Sequence, residues 1–169
     1  MCRIRMIFLL SLLVFPLTTF SRSSSLPAHI APPGEKLIIV DPNIHVWGAY
    51  TPDGTLIHSG MATAGSYWCR DLHRRCRTKA GTFRIYSLGG PRCISHRFPL
   101  PRGGAPMPFC MYFNGNQALH GSYEVVNGNI SHGCVRLHVN DARWLRYDFV
   151  EGPNSSNHYR GTRVIIRAY

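Results

Sequence analysis

The groups best suited to chemistry crowd into residues 119–141, Leu-His-Gly-Ser-Tyr-Glu-Val-Val-Asn-Gly-Asn-Ile-Ser-His-Gly-Cys-Val-Arg-Leu-His-Val-Asn-Asp. A cysteine that attacks a carbonyl needs a base for its proton, a second group to orient that base, and donors for the oxyanion. His120 precedes Cys134 by fourteen residues, room for a loop and a returning strand. His132 stands two residues before Cys134 and Arg136 two after it. In an extended segment all three side chains turn to one face. Gly133 lets the backbone approach a bound group closely, and Arg136 offers a fork of donors to a carboxylate. Two other readings compete. A single cysteine often packs as a small hydrophobe. A zinc site would draw on His120, His132, Cys134 and His138, all of suitable type, but the spacing lacks the paired Cys-x2-Cys knuckle.

The ordered run Ser131-His132-Gly133-Cys134-Val135-Arg136, preceded by His120-Gly121, resembles the active-site signature of the L,D-transpeptidase catalytic domain family, cysteine enzymes that cross-link bacterial peptidoglycan. The resemblance implies Cys134 as nucleophile, with His120 as its base or its imidazolium partner. It implies that the Gly121 carbonyl orients His120, and that the N–H groups of Gly133 and Cys134, with His132, hold the oxyanion. Arg136, Ser131 and Tyr112 are the candidate substrate contacts. The implied reaction opens a tetrapeptide stem at the L-centre of diaminopimelate, releases D-alanine and passes the acyl group to an amine. No metal or organic cofactor is required. Water as acceptor would make an L,D-carboxypeptidase with the same residues. A papain-like peptidase places its cysteine before its histidine, the reverse of the order here. A non-catalytic wall-binding or surface-binding module is the rival outside enzymology.

The flanking sequence supplies short strands and turns. With 16 glycines and 12 prolines, the chain reads as a strand-and-loop protein rather than a helical bundle. The expected fold class is mainly β, a β-sandwich-like domain with one or two short helices, over residues 36–169. Strands are expected at 37–40, 45–50, 55–65, 83–87, 107–113 and 163–167. Thr51-Pro52-Asp53-Gly54 reads as a turn. Asn140 reads as the N-cap of a helix over about 141–149, with Asp141 in its first turn. Two segments resemble further family features. Thr78-Lys79-Ala80-Gly81-Thr82-Phe83 is similar to the family's Thr-Pro-x-Gly-x-Phe turn, with Lys79 in place of proline. Met107-Pro108-Phe109 is similar to its Met-Pro-aromatic segment. The Gly- and Pro-rich run 89–106 is the length of a functional loop, and in the family this region borders the substrate groove.

The N-terminus carries Arg3 and Arg5, then an apolar run from Met6 to Leu17, too short for a comfortable span. It reads as a secretory signal over residues 1–25, followed by a proline-bearing linker over 26–35. An uncleaved anchor is the alternative. Export to the periplasm or cell envelope follows. Five cysteines then remain, and in an oxidising compartment an odd number implies pairs plus one free thiol. The expected pairs are Cys69–Cys76 and Cys93–Cys110, one of the three pairings that four cysteines allow. The chain has 19 basic residues against 8 acidic, for a formal charge of +11, and all but Lys36 and Lys79 of the basic ones are arginine. Such a charge suits stem-peptide carboxylates and the anionic cell envelope. Without basic–aromatic periodicity, nucleic acid is not an expected partner. The basic loop 66–79 reads chiefly as a solvated, disulfide-closed loop.

Overall fold

The computed structural model describes residues 24–169; the expected signal segment lies almost wholly outside them. Nine strands form one sheet: β1 (Leu37–Asp41), β2 (Val46–Tyr50), β3 (Leu56–Thr63), β4 (Gly81–Arg84), β5 (Ser87–Leu88), β6 (Met111–Asn114), β7 (Gln117–Gly121), β8 (Val135–Leu137) and β9 (Arg163–Ile166). Their order across the sheet is β4-β9-β1-β2-β3-β8-β7-β6-β5. The sheet curls, so the expected sandwich is one continuous sheet whose two halves share a core. Ile38, Val40, Trp47 and Val164 from one half meet Met111, Leu119, Val135 and Leu137 from the other. The long strand β3 joins the halves, pairing with β2 along most of its length and with β8 at Ala62 and Thr63.

Strand β1 is buried on both faces. Its inward Ile38 and Val40 enter the shared core, while Leu37 and Ile39 pack outward with Leu26 and Tyr50. The stretch read as a linker is therefore laid onto the sheet. Leu56 N–H donates to the Ala28 carbonyl at 2.8 Å, and Ile30 N–H to Gly54 at 2.9 Å. Burying Leu26 contributes about 1.5–3 kcal/mol, which holds this stretch against the domain.

Three expected elements change shape. The strand expected at 83–87 is interrupted, because Ile85 N–H turns to Thr162 and Tyr86 N–H to Tyr112; the chain changes sheet partner there. The strand expected at 107–113 begins only at Met111. Phe109 has a φ of 60° and Cys110 is tied to Cys93, so residues 107–110 follow the loop. The helix starts earlier than expected, as α1 (Val139–Trp144), with His138 at its N-cap and no side-chain cap. It continues as a π turn over Leu145–Phe149. That wider turn stacks Phe149 on Trp144, ring centroids 5.6 Å apart. Among the described residues no helix is long and apolar enough to cross a membrane.

Candidate active site

The adjacent strands β7 and β8 run parallel, with His120 opposite Arg136 and Gly121 opposite Leu137. Paired residues on neighbouring strands are about 4.8 Å apart and face the same way. The register therefore sets His120 and Arg136 side by side, with Cys134 one step earlier on the same face. All three line a groove of about 550 Å³, together with His132, Ser131, Tyr112, Gln117, Arg74 and Phe98.

His120 is buried, and its Nδ1 lies 2.9 Å from the Gly121 carbonyl oxygen. That contact fixes the hydrogen on Nδ1 and leaves Nε2 as the basic nitrogen. Gly121 is glycine for a local reason, since a Cβ there would lie 3.1 Å from the Val139 backbone and 3.2 Å from Pro108. Burial, aided by the Arg136 charge and opposed by the Gly121 hydrogen bond, lowers His120 to about 4. Burial likewise pushes the Cys134 thiol up, against the pull of the Ala118 N–H and of Arg136. Both shifts favour the neutral thiol and the neutral imidazole over the charged pair. The thiol donates to the Asn116 carbonyl at 3.6 Å.

The loop that carries Cys134 is held from below. Gly133 has a φ of +125°, a conformation that side chains disfavour. Its N–H donates to Ser131 Oγ at 3.1 Å, and Ser131 Oγ in turn donates to the Cys134 carbonyl. The Gly133 N–H expected at the oxyanion is thereby engaged, and buried Ser131, a candidate substrate contact that lines the groove, also closes the loop on itself. The Cys134 N–H and His132 remain as the expected donors. Buried Thr78 donates to the Gly133 carbonyl and accepts from the Gly65 N–H, both at 2.9 Å. Tyr169 extends this brace, accepting from Thr78 N–H at 2.9 Å and donating to the Gly65 carbonyl at 2.7 Å. Lys79, where proline was the pattern, uses the N–H that proline lacks: it donates to Gln117 Oε1 at 3.1 Å.

Both expected disulfides are present, Cys69–Cys76 and Cys93–Cys110, and Cys134 is free. Each closes a loop that reaches His132. Asp71, from the first loop, sits 2.8 Å from His132 Nε2. Phe98, from the second, stacks on the ring at 4.3 Å. The donor atoms of Cys69, Asp71 and His132 lie within 4.8 Å of one another, but Cys69 is in a disulfide and has no thiolate to offer a metal. The zinc set read from sequence, which included His120 and His138, does not gather among the described residues. Arg136 pairs with Glu124 at 3.0 Å, and Tyr112, a candidate substrate contact, borders the groove. Sequence reasoning gave no role to Thr78, Gln117, Asp71, Phe98 or Glu124. Asp71 carried a usable signal, being the single acidic residue of a basic loop.

The model of the L,D-transpeptidase catalytic domain matches residues 35–166. The chain belongs to this family. A solved L,D-transpeptidase from Xylanimonas cellulosilytica is 25% identical, covering 78% of this chain and 60% of its own, with a TM-score of 0.61. One from Mycobacterium smegmatis is 20% identical with a TM-score of 0.61, over 79% of this chain and 59% of its own. One from Mycobacterium tuberculosis is 16% identical with a TM-score of 0.59, over 79% and 57%. The last two speak for the fold alone. The matched region spans about three fifths of the length of these solved chains. Among curated proteins no relative matches the chain.

Proposed function

We propose that this family member is an exported peptidoglycan L,D-transpeptidase. The observation that supports the reading is the parallel β7–β8 register, which turns buried His120 and the free Cys134 to one face, both lining one groove. His120 Nε2 takes the thiol proton as sulfur attacks the carbonyl of the L-centre of diaminopimelate in a tetrapeptide stem. The tetrahedral oxyanion collapses, the bond to D-alanine breaks, and the imidazolium returns its proton to the leaving amine. A thioester on Cys134 remains. The amine of a second stem then attacks, gives its proton to His120, and frees the thiol.

The Cys134 N–H and His132 stabilise the oxyanion in this scheme, and losing one such donor costs about 3 kcal/mol of barrier. Arg136 binds a stem carboxylate by exchanging it for Glu124. The groove-side arginines favour an anionic donor or envelope polymer, and the two disulfides accord with export.

Incubating the protein with a disaccharide-tetrapeptide and resolving the products tests the reading. Free D-alanine with cross-linked dimer is the expected result. D-alanine with tripeptide alone would identify the carboxypeptidase instead. No D-alanine from oxidised, folded protein would overturn the enzyme reading for this substrate and favour a wall-binding module.

A further inference from the structure

His132 is held on two sides by segments far from it in sequence. Asp71 meets its Nε2 edge at 2.8 Å, and Phe98 covers one face at 4.3 Å with 27° between the ring planes. A hydrogen bond at one ring edge and a stacked ring on one face together restrict the rotation of the imidazole. From this geometry we propose that Asp71 is a positioning residue for His132, and that the Cys69–Cys76 bridge is what keeps Asp71 in place. The proposal rests on the oxyanion role assigned to His132 above.

Asp71 is exposed, so its pairing with His132 alone would be weak in water. The backbone removes much of that weakness. Asp71 lies inside a loop closed by cysteines seven residues apart, both buried. Cys69 N–H bonds to Arg74 at 2.8 Å, Cys76 N–H to Ser66 at 3.2 Å, and Ser66 N–H to Ser131 at 2.8 Å. The loop is thereby moored to the residue that precedes His132, and the carboxylate is delivered to the ring with little freedom left to lose. With Nε2 committed to Asp71, Nδ1 is the ring nitrogen left for the substrate. For Nδ1 to donate to an oxyanion while Asp71 accepts from Nε2–H, both ring nitrogens carry a hydrogen. The neighbouring arginines of the loop cannot take this role, because a guanidinium has no acceptor for Nε2–H.

The test compares two reagents on the oxidised protein. p-Nitrophenyl acetate acylates a thiol through a tetrahedral oxyanion, and iodoacetamide alkylates it without one. His132→Gln and Asp71→Ala are each expected to slow acylation about tenfold or more, with alkylation within about twofold of wild type. Asp71→Ala combined with His132→Gln should be no slower than His132→Gln alone, since both act through one ring. Asp71→Asn, whose amide oxygen still accepts from Nε2–H, should recover most of the rate. Cys69→Ala with Cys76→Ala should reproduce Asp71→Ala. The proposal is overturned if Asp71→Ala acylates like wild type, if both reagents slow together, or if the double-variant losses multiply. Wild-type acylation no faster than Cys134→Ala would overturn it along with the enzyme reading. A failure of the tetrapeptide to release D-alanine, with the acylation pattern intact, would remove only the substrate proposed above.

Discussion

His120 and His132 line the same groove but are held by different physics. His120 sits on a central strand, buried, with its partner carbonyl one residue away and its neighbour Arg136 fixed by sheet register. His132 sits on a loop, and its partners come from two surface loops that depend on disulfides. In the proposed mechanism the sheet therefore guards the proton transfer, and the staples guard the groups around the oxyanion. One function is secured by folding, the other by folding plus oxidation.

The largest effect should come from the sheet side. His120→Ala is expected to lower kcat/KM by about 10³-fold or more, with far-UV circular dichroism unchanged. The pH profile sharpens the point. His120 titrates near 4 rather than near 6.5, so the acidic limb of kcat/KM should fall near pH 4, and a limb near 6.5 would mean the ring is solvated. Stability follows the same sign. The unfolded ring gains a proton below about 6.5 while the folded one resists until about 4. Wild type should thus lose roughly 3 kcal/mol across that window, and His120→Gln clearly less, by urea unfolding at a series of pH values.

Next come the residues that brace the Cys134 loop. Thr78→Val keeps shape but leaves the Gly133 carbonyl and Gly65 N–H without their partner, an expected loss of about 2–4 kcal/mol. Thr78→Ser should restore most of it, as read by thermal melting. A neutral Thr78→Val would show that the loop finds other partners. On the loop side, mild reduction of the two disulfides should lower acylation of Cys134 about tenfold while sparing its alkylation. Equal sensitivity of the two reactions would erase the contrast between the histidines. The smallest effect belongs to Glu124, three-quarters exposed on its carboxylate side and paired with Arg136. Glu124→Gln should lower KM for a carboxylate-bearing stem about two- to fivefold with kcat unchanged.

The sequence made the sheet side readable because its signals are local. Alternating apolar strands, the turn residues and the ordered His120-to-Arg136 run all sit within a few residues of what they specify. The odd cysteine count likewise pointed to pairs plus one free thiol, and the expected pairing, one of three, is the one present. The loop side depends on contacts between residues 34 and 61 positions apart, which no periodicity announces. The same holds for Ser131 and Gly133. Their types suggested a site open to substrate, but a hydroxyl next to an N–H was used to close the turn. The helix moved two residues earlier because backbone bonding from Ala142 to His138 outweighed the capping preference of Asn140. The stretch 26–35 looked like a linker by composition, yet one leucine and three backbone bonds fasten it to β1–β3.

The central claim is that Cys134 forms an acyl-enzyme with His120 as its neutral base. Intact-protein mass spectrometry after rapid mixing with a disaccharide-tetrapeptide tests it most directly. Wild type should gain the mass of the stem less D-alanine, Cys134→Ala should gain nothing, and His120→Ala should gain it far more slowly. An adduct that persists in Cys134→Ala, or that forms at wild-type rate in His120→Ala, would contradict the account.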